Sequence, residues 1–175
     1  MAIFMIIMIN GAFGVGKTTV ATLLNEQLPN SMLYDPEEVG FLLRNVTQGI
    51  LTPSEKTDDF QDIALWPELV VEVGKRLFAK YGRSLITPMT ITNPTYFTTI
   101  RDGLAAVAPL HHFCLVANEA TLRQRLLKRE NIEGTWCFQQ ISRCITAFQS
   151  DLFAQHIDTN RVNAQTIVTQ ILTKI

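Results

Sequence analysis

Residues 3–19 read Ile3-Phe4-Met5-Ile6-Ile7-Met8-Ile9-Asn10-Gly11-Ala12-Phe13-Gly14-Val15-Gly16-Lys17-Thr18-Thr19. A short unbroken apolar run leads into G-x-x-x-x-G-K-[ST], the phosphate-binding P-loop pattern. A strand buried on both faces of a parallel sheet has that continuous apolar character. Beyond the loop, Val20, Leu23, Leu24 and Leu28 recur at helical spacing. Strand, glycine-rich turn and amphipathic helix therefore stand in the order the chemistry needs, which a chance match on a glycine-rich turn would not supply. Gly11, Ala12, Phe13, Gly14, Val15, Gly16, Lys17, Thr18 and Thr19 form the expected nucleotide-binding set. Their backbone N–H groups crowd round a polyphosphate, and the helix N-terminus adds its positive dipole. Lys17 is expected to reach the β- and γ-phosphates and the Thr18 hydroxyl to ligate Mg²⁺, so ATP and Mg²⁺ are the expected cofactors.

Bulk properties narrow the class. At 175 residues the chain fits a single domain over 1–175, too short for a multidomain motor. A net charge of −1 with scattered lysines and arginines offers no basic stripe, so nucleic acid is not an expected partner. Cys114, Cys137 and Cys144 have neither metal-ligand nor redox spacing and suit a reducing cytoplasm. The apolar start lacks a basic n-region and runs straight into the P-loop, unlike a signal peptide, and it is too short to span a bilayer. A start at Met5 still leaves a usable strand.

The remaining chain alternates strands with helices. Strands are expected at 31–34, 84–87, 112–116 and 156–157. Helices are expected after Asp35-Pro36-Glu37-Glu38 (with Val39, Leu42, Leu43 and Val46), from Pro67 (with Leu69, Val70, Val73, Leu77, Phe78 and Tyr81 on one face, ended by Gly82), across 95–106, over Glu119–Arg129, around Phe138–Phe148, and through Ile167, Val168, Ile171, Leu172 and Ile175. Thr52-Pro53-Ser54-Glu55 reads as a capping box on a short turn. Five βα units predict an α/β P-loop NTPase fold, a five-stranded parallel sheet sandwiched by helices, with ligands beyond the carboxyl ends of the strands.

Candidate catalytic residues follow those strand ends. Asp35, just past the second strand, can take a proton from a substrate hydroxyl or hold the water shell of the metal. Asp before Pro at a helix start is also an ordinary N-cap, and the two roles compete for the same oxygens. Glu37 and Glu38 lie in the first helical turn, where acids are expected for dipole reasons alone; Glu37 is carried as a further candidate. Arg125 and Arg129 lie one turn apart on a helix that ends before the irregular stretch 130–136, with Arg123 and Arg143 nearby. Fixed positive charge there offsets charge building on a migrating phosphoryl group, although a solvated basic face looks the same. The segment around 130–137 reads as a lid. Thr87-Pro88-Met89-Thr90 carries no Walker B acid, and no Asn-Lys-x-Asp motif is present, which speaks against a motor ATPase and a GTPase. Asp58, Asp59, Phe60 and Trp66 fall where a substrate-covering segment belongs, with Trp66 a candidate stacking surface or a packing residue. His111 and His112 read as structural, and Asp158-Thr159-Asn160-Arg161 as an adenine border or a simple turn.

Taken together, Asn10 to Thr18, Tyr34-Asp35-Pro36-Glu37, Pro88-Met89-Thr90-Ile91, His111-His112-Phe113 and Gln140-Ile141-Ser142-Arg143-Cys144 resemble the bacterial tunicamycin-resistance protein family. The resemblance runs from residue 5 to about 159. It implies an ATP-binding P-loop fold of the nucleotide and small-molecule kinase type, and protection against tunicamycin, a nucleoside antibiotic. The best-known form of that family carries a further C-terminal segment, a place for membrane association. No transmembrane segment is expected in this chain, and the sequence is compatible with peripheral membrane contact.

The leading expectation is a Mg²⁺–ATP-dependent kinase acting on a hydroxyl of a small molecule, with a nucleoside antibiotic the expected acceptor, Lys17, Asp35, Arg125 and Arg129 catalytic, and Thr18, with Asp35 through water, at the metal. Two alternatives stand beside it: an ATP-gated protein that sequesters the drug without turnover, and a housekeeping kinase for a nucleotide or metabolite. Monomer and homodimer both fit the pattern.

Overall fold

The structure is a computed structural model that describes residues 4–130 and 134–175. Five strands, β1 (Ile6–Gly11), β2 (Ser31–Leu33), β3 (Ser84–Met89), β4 (Leu110–Val116) and β5 (His156–Asp158), form one parallel sheet in the order β2-β3-β1-β4-β5. The fold class expected from the sequence is thus the observed one. Every position of β1 and β3 is buried, as a doubly covered parallel strand requires. β1 pairs with β3 from Ile6 opposite Leu85 to Asn10 opposite Met89, and with β4 from Ile6 opposite Leu110 to Gly11 opposite Leu115.

Around the sheet run α1 (Lys17–Gln27), α2 (Pro36–Val46), α3 (Trp66–Tyr81), α4 (Pro94–Ala105), α5 (Glu119–Glu130), α6 (Trp136–Gln139), α7 (Ile141–Ala147) and α8 (Ala164–Leu172). α1 packs against α8 and α3 against α4. The helix starts follow local chemistry. Asp35 caps α2 by accepting the Glu37 N–H at 2.9 Å, with Pro36 in the first turn. Asn93 caps α4 by accepting from Thr95 and Tyr96. Among the described residues no helix is long and apolar enough to cross a membrane.

Three local expectations are corrected. The helix over Phe138–Phe148 is split at Gln140 into α6 and α7; the break lets Trp136 meet Phe13 while Ile141 and Cys144 enter the core. In α2 the buried face is Val39, Gly40 and Leu43, whereas Leu42 is 53% and Val46 64% exposed. Gly40 sets that rotation, since a Cβ there would lie 2.2 Å from the Phe60 ring. In α3 the buried positions are Trp66, Pro67, Val70, Val71 and Gly74. At Gly74 a Cβ would stand 2.7 Å from Leu104 and 3.2 Å from Tyr34. The helix settles on that narrow side, so of the expected apolar stripe Val70 is buried, Leu69, Val73, Leu77 and Phe78 are half-buried against the edge of the core, and Tyr81 is exposed.

His112 in β4 is buried against Phe97, ring centroids 4.7 Å apart, and its Nδ1–H donates to the Ala154 carbonyl at 2.9 Å. Burial pushes its pKa down from 6.5 to about 4. As pH falls, the unfolded imidazole takes up its proton before the folded one does. The contribution is therefore fully present above about pH 6.5 and is lost on the way down to about 4, an effect on the order of 3 kcal/mol. Urea melts across that window should show a shallower acid dependence for His112→Asn than for the wild type; equal slopes would remove His112 from the acid response.

Candidate active site

The P-loop leaves β1 through backbone that its own residues brace. Asn10 Oδ1 accepts the N–H groups of Gly11 and Ile91, both at 2.9 Å, and its Nδ2 donates to the Ile91 carbonyl at 3.0 Å. The Thr90 hydroxyl donates to the Gly11 carbonyl at 2.8 Å. Where many P-loop ATPases place an acid, at the end of β3, this chain therefore has the Thr90 hydroxyl, which together with the Asn10 amide of β1 fixes the loop. Gly11 and Gly14 have φ of 151° and 81°. A Cβ at Gly11 would lie 2.5 Å from the Leu115 carbonyl, and one at Gly14 would lie 2.9 Å from Leu126 on α5. Both turns are thus closed to any side chain.

A cavity of about 680 Å³ opens over this loop and the start of α1. It gathers Phe13 to Thr19, Asp35 and Glu37 from the head of α2, Arg125 and Arg129 from α5, and Thr159 after β5. The expected P-loop residues from 13 to 19 and all four expected catalytic side chains therefore meet in one place; Gly11 and Ala12 lie buried just before it.

Lys17 is half-buried, donates to the Ala12 carbonyl at 3.0 Å and stands 5.5 Å from the centre of the Phe13 ring. Burial pushes its ammonium down to about 8, with the Glu37 carboxylate opposing the shift. Thr18 and Thr19 are exposed at the N-terminus of α1. Glycine-permitted turns, a lysine ammonium, free-facing hydroxyls and a helix N-terminus make a donor set that fits a polyphosphate with its cation.

Asp35 and Glu37 form the acidic side of the cavity. Burial raises the Asp35 carboxyl above the usual range, against the N–H bond from Glu37. Burial also raises Glu37, the neighbouring Asp35 charge adds to that, and Lys17 and Arg129 oppose it. Glu37, read from the sequence chiefly as a first-turn acid, thus lies in the field of two cations.

The two arginines of α5 have different surroundings. Arg125 is tied down: Nη1 donates to the Val15 carbonyl at 3.2 Å and the Thr159 hydroxyl at 3.0 Å, and Nη2 to the Thr159 carbonyl at 2.6 Å. Arg129, one turn later, reaches Cys137 Sγ at 3.8 Å, and its charge is felt at both Lys17 and Glu37. Arg123 pairs with Glu119 at 2.8 Å on the outer face, and Arg143 with Asp59 at 3.3 Å outside the cavity lining. Trp66 is not a stacking surface. It is fully buried, with its Nε1–H donated to the Pro36 carbonyl at 3.2 Å, because the start of α3 packs beneath α2. Of the expected lid, residues 131–133 lie outside the described residues, while Trp136 contacts Phe13 edge-on at 5.2 Å. The sequence pattern gave no sign of Val162 and Ala164, which with Ile167 supply an apolar wall; only their place after β5 pointed there.

The AAA domain family matches residues 6–143. The tunicamycin resistance protein of Deinococcus radiodurans is 30% identical, with a TM-score of 0.80 over 98% of this chain and 95% of that one. A gluconokinase from Sinorhizobium meliloti 1021 (18% identity, TM-score 0.65, 95% of this chain and 89% of that one) shares the fold. So does shikimate kinase from Acinetobacter baumannii, solved with shikimate (21% identity, TM-score 0.62, 98% and 92%). No curated protein sequence matches the chain. Likeness to the resistance protein along nearly the whole of both chains, within a domain family that spans the P-loop through Arg143, shows that this chain belongs to the bacterial tunicamycin-resistance protein family, a kinase-like P-loop nucleotide-binding fold.

Proposed function

We propose that the protein is a cytoplasmic Mg²⁺–ATP-dependent phosphotransferase that phosphorylates a hydroxyl of a small molecule of the tunicamycin-like nucleoside class. The observation that carries this reading is the meeting of a P-loop lysine, two raised carboxyls and two arginines in one cavity of about 680 Å³. When bound, Mg²⁺–ATP supplies the transferable phosphoryl group. The P-loop N–H groups and Lys17 would hold its phosphates, and the Thr18 hydroxyl would be the residue that ligates the metal. Asp35 Oδ1 is engaged by the helix cap, so Oδ2 is the oxygen left to accept the proton of the acceptor hydroxyl. Glu37 orients the acceptor. Arg129 offsets charge on the migrating oxygens, while Arg125 positions Thr159 against the P-loop beside the apolar wall for the base. The segment around 130–137 serves as a lid.

Mass spectrometry of tunicamycin and a nucleoside panel, incubated with protein, ATP and Mg²⁺, tests this reading against a Lys17→Ala control. A phosphorylated product absent from the control supports it. ATP-dependent retention of tunicamycin without product favours sequestration, and phosphorylation of other acceptors alone overturns the antibiotic assignment.

Lys17 also sets a pH dependence. Its charged form, which attracts phosphates, prevails in the free protein below about pH 8. Nucleotide affinity is therefore highest below that value and falls above it, approaching tenfold per pH unit. Calorimetric titration between pH 7 and 10 should show this decline, and Lys17→Arg, which stays charged, should flatten it. A wild-type affinity constant across the range would contradict the assignment.

A further inference from the structure

The outward side of α3 carries two rows at four-residue spacing. Leu65, just before the helix, is followed by Leu69, Val73, Leu77 and Tyr81, an apolar ridge. Its two ends stand in solvent, Leu65 50% and Tyr81 58% exposed, while Leu69, Val73 and Leu77 between them are half-buried at the edge of the core and line a groove of about 420 Å³. Beside it run Glu68, Glu72, Arg76 and Lys80, acidic in the first half and basic in the second. Glu72 reaches Lys75 at 3.3 Å in an exposed pair; Glu68, Arg76 and Lys80 have no ion-pair partner among the described residues.

Both rows are centred on nearly the same point. The apolar row has its midpoint at Val73, and the sign of the charged row reverses between Glu72 and Arg76. A second α3 laid antiparallel across the first, about a two-fold axis at that point, sets Leu69 against Leu77 of the other copy and Val73 against its own counterpart. Glu72 then meets Arg76 of the other copy, Glu68 meets Lys80, and each pair occurs twice. Such reciprocity is what a two-fold contact requires. An unrelated partner would need no match between the two midpoints. We propose that this face of α3 is the interface of a homodimer.

Sedimentation velocity on the full chain, from micromolar to millimolar concentration, tests the proposal. The expected mass rises from one chain to two. Val73→Glu, which puts two like charges on the axis, is expected to stay at one. Glu72→Arg and Arg76→Glu alone should each weaken association by about tenfold. The double variant, in which opposite signs meet again, should return to within about threefold of wild type. Circular dichroism melts verify that each variant is folded, and if Val73→Glu is not, the charge series decides alone. A single-chain mass throughout, a dimer indifferent to a folded Val73→Glu, or a double variant as weak as the singles overturns the proposal.

Discussion

Lys17→Ala is expected to lower ATP-dependent product formation by roughly 10³-fold while leaving the fold intact. The ammonium is the one cation contributed by the P-loop itself, and its neighbours already hold it ready: a carbonyl at 3.0 Å, an aromatic face and the Glu37 carboxylate. Phosphoryl transfer leaves the protein little to do beyond positioning and charge stabilisation, so loss of a preorganised donor acts on the barrier itself. Removal of a cation whose pKa is depressed by burial takes away an electrostatic burden. The melting temperature of Lys17→Ala should therefore equal or exceed that of the wild type. Single-turnover rates at saturating nucleotide, with melts in parallel, check both halves. A rate within tenfold of wild type would exclude Lys17 from the chemistry, and a collapse of the melt would make the variant uninformative about it.

The second large effect separates two jobs of one carboxylate. Asp35→Asn should reduce turnover by ~10²-fold or more, because an amide cannot take a proton from the acceptor. It should leave stability nearly unchanged, since Asn caps helices about as well as Asp. Asp35→Ala should match that loss of turnover and also lower stability by about 1 kcal/mol, the usual cost of a missing N-cap. Burial raises the carboxyl, so the acid limb of the wild-type rate profile should lie at higher pH than a fully solvated aspartate would give. Should Asp35→Asn keep its rate while Glu37→Gln loses it, the base is Glu37. Equal rates in both variants would place the proton acceptor outside this pair.

What the sequence made legible was local. The P-loop, its flanking strand and helix, the Asp35-Pro36 helix start and the apolar runs of β3 and β4 are each written in consecutive residues, and each is found where expected. What it hid depends on packing between distant segments. Trp66 looked available for stacking because nothing near it in the chain announces that Pro36, thirty residues earlier, accepts its indole N–H. The difference between Arg125 and Arg129 comes from Thr159, a residue 34 positions from Arg125. The stripe on α3 was visible, but its direction was set by Gly74, a residue that hydrophobic periodicity does not weigh. Glu37 was indistinguishable from a dipole-favoured first-turn acid until the cavity showed what it faces.

The central place of β1 has a consequence for how the protein is made. β1 is the first of the five strands to be synthesised, yet its partners begin at Ser84 and Leu110. At ribosomal speeds of ~5–20 residues per second, Met89, the end of the first partner strand, emerges roughly 4–16 s after Gly11. For that interval the nascent chain displays an uncharged, proline-free apolar segment with no sheet to enter, the composition that favours intermolecular strand pairing. Recovery of active protein should therefore respond to translation rate, growth temperature and the supply of chaperones that hold extended apolar segments, even when the finished fold is stable.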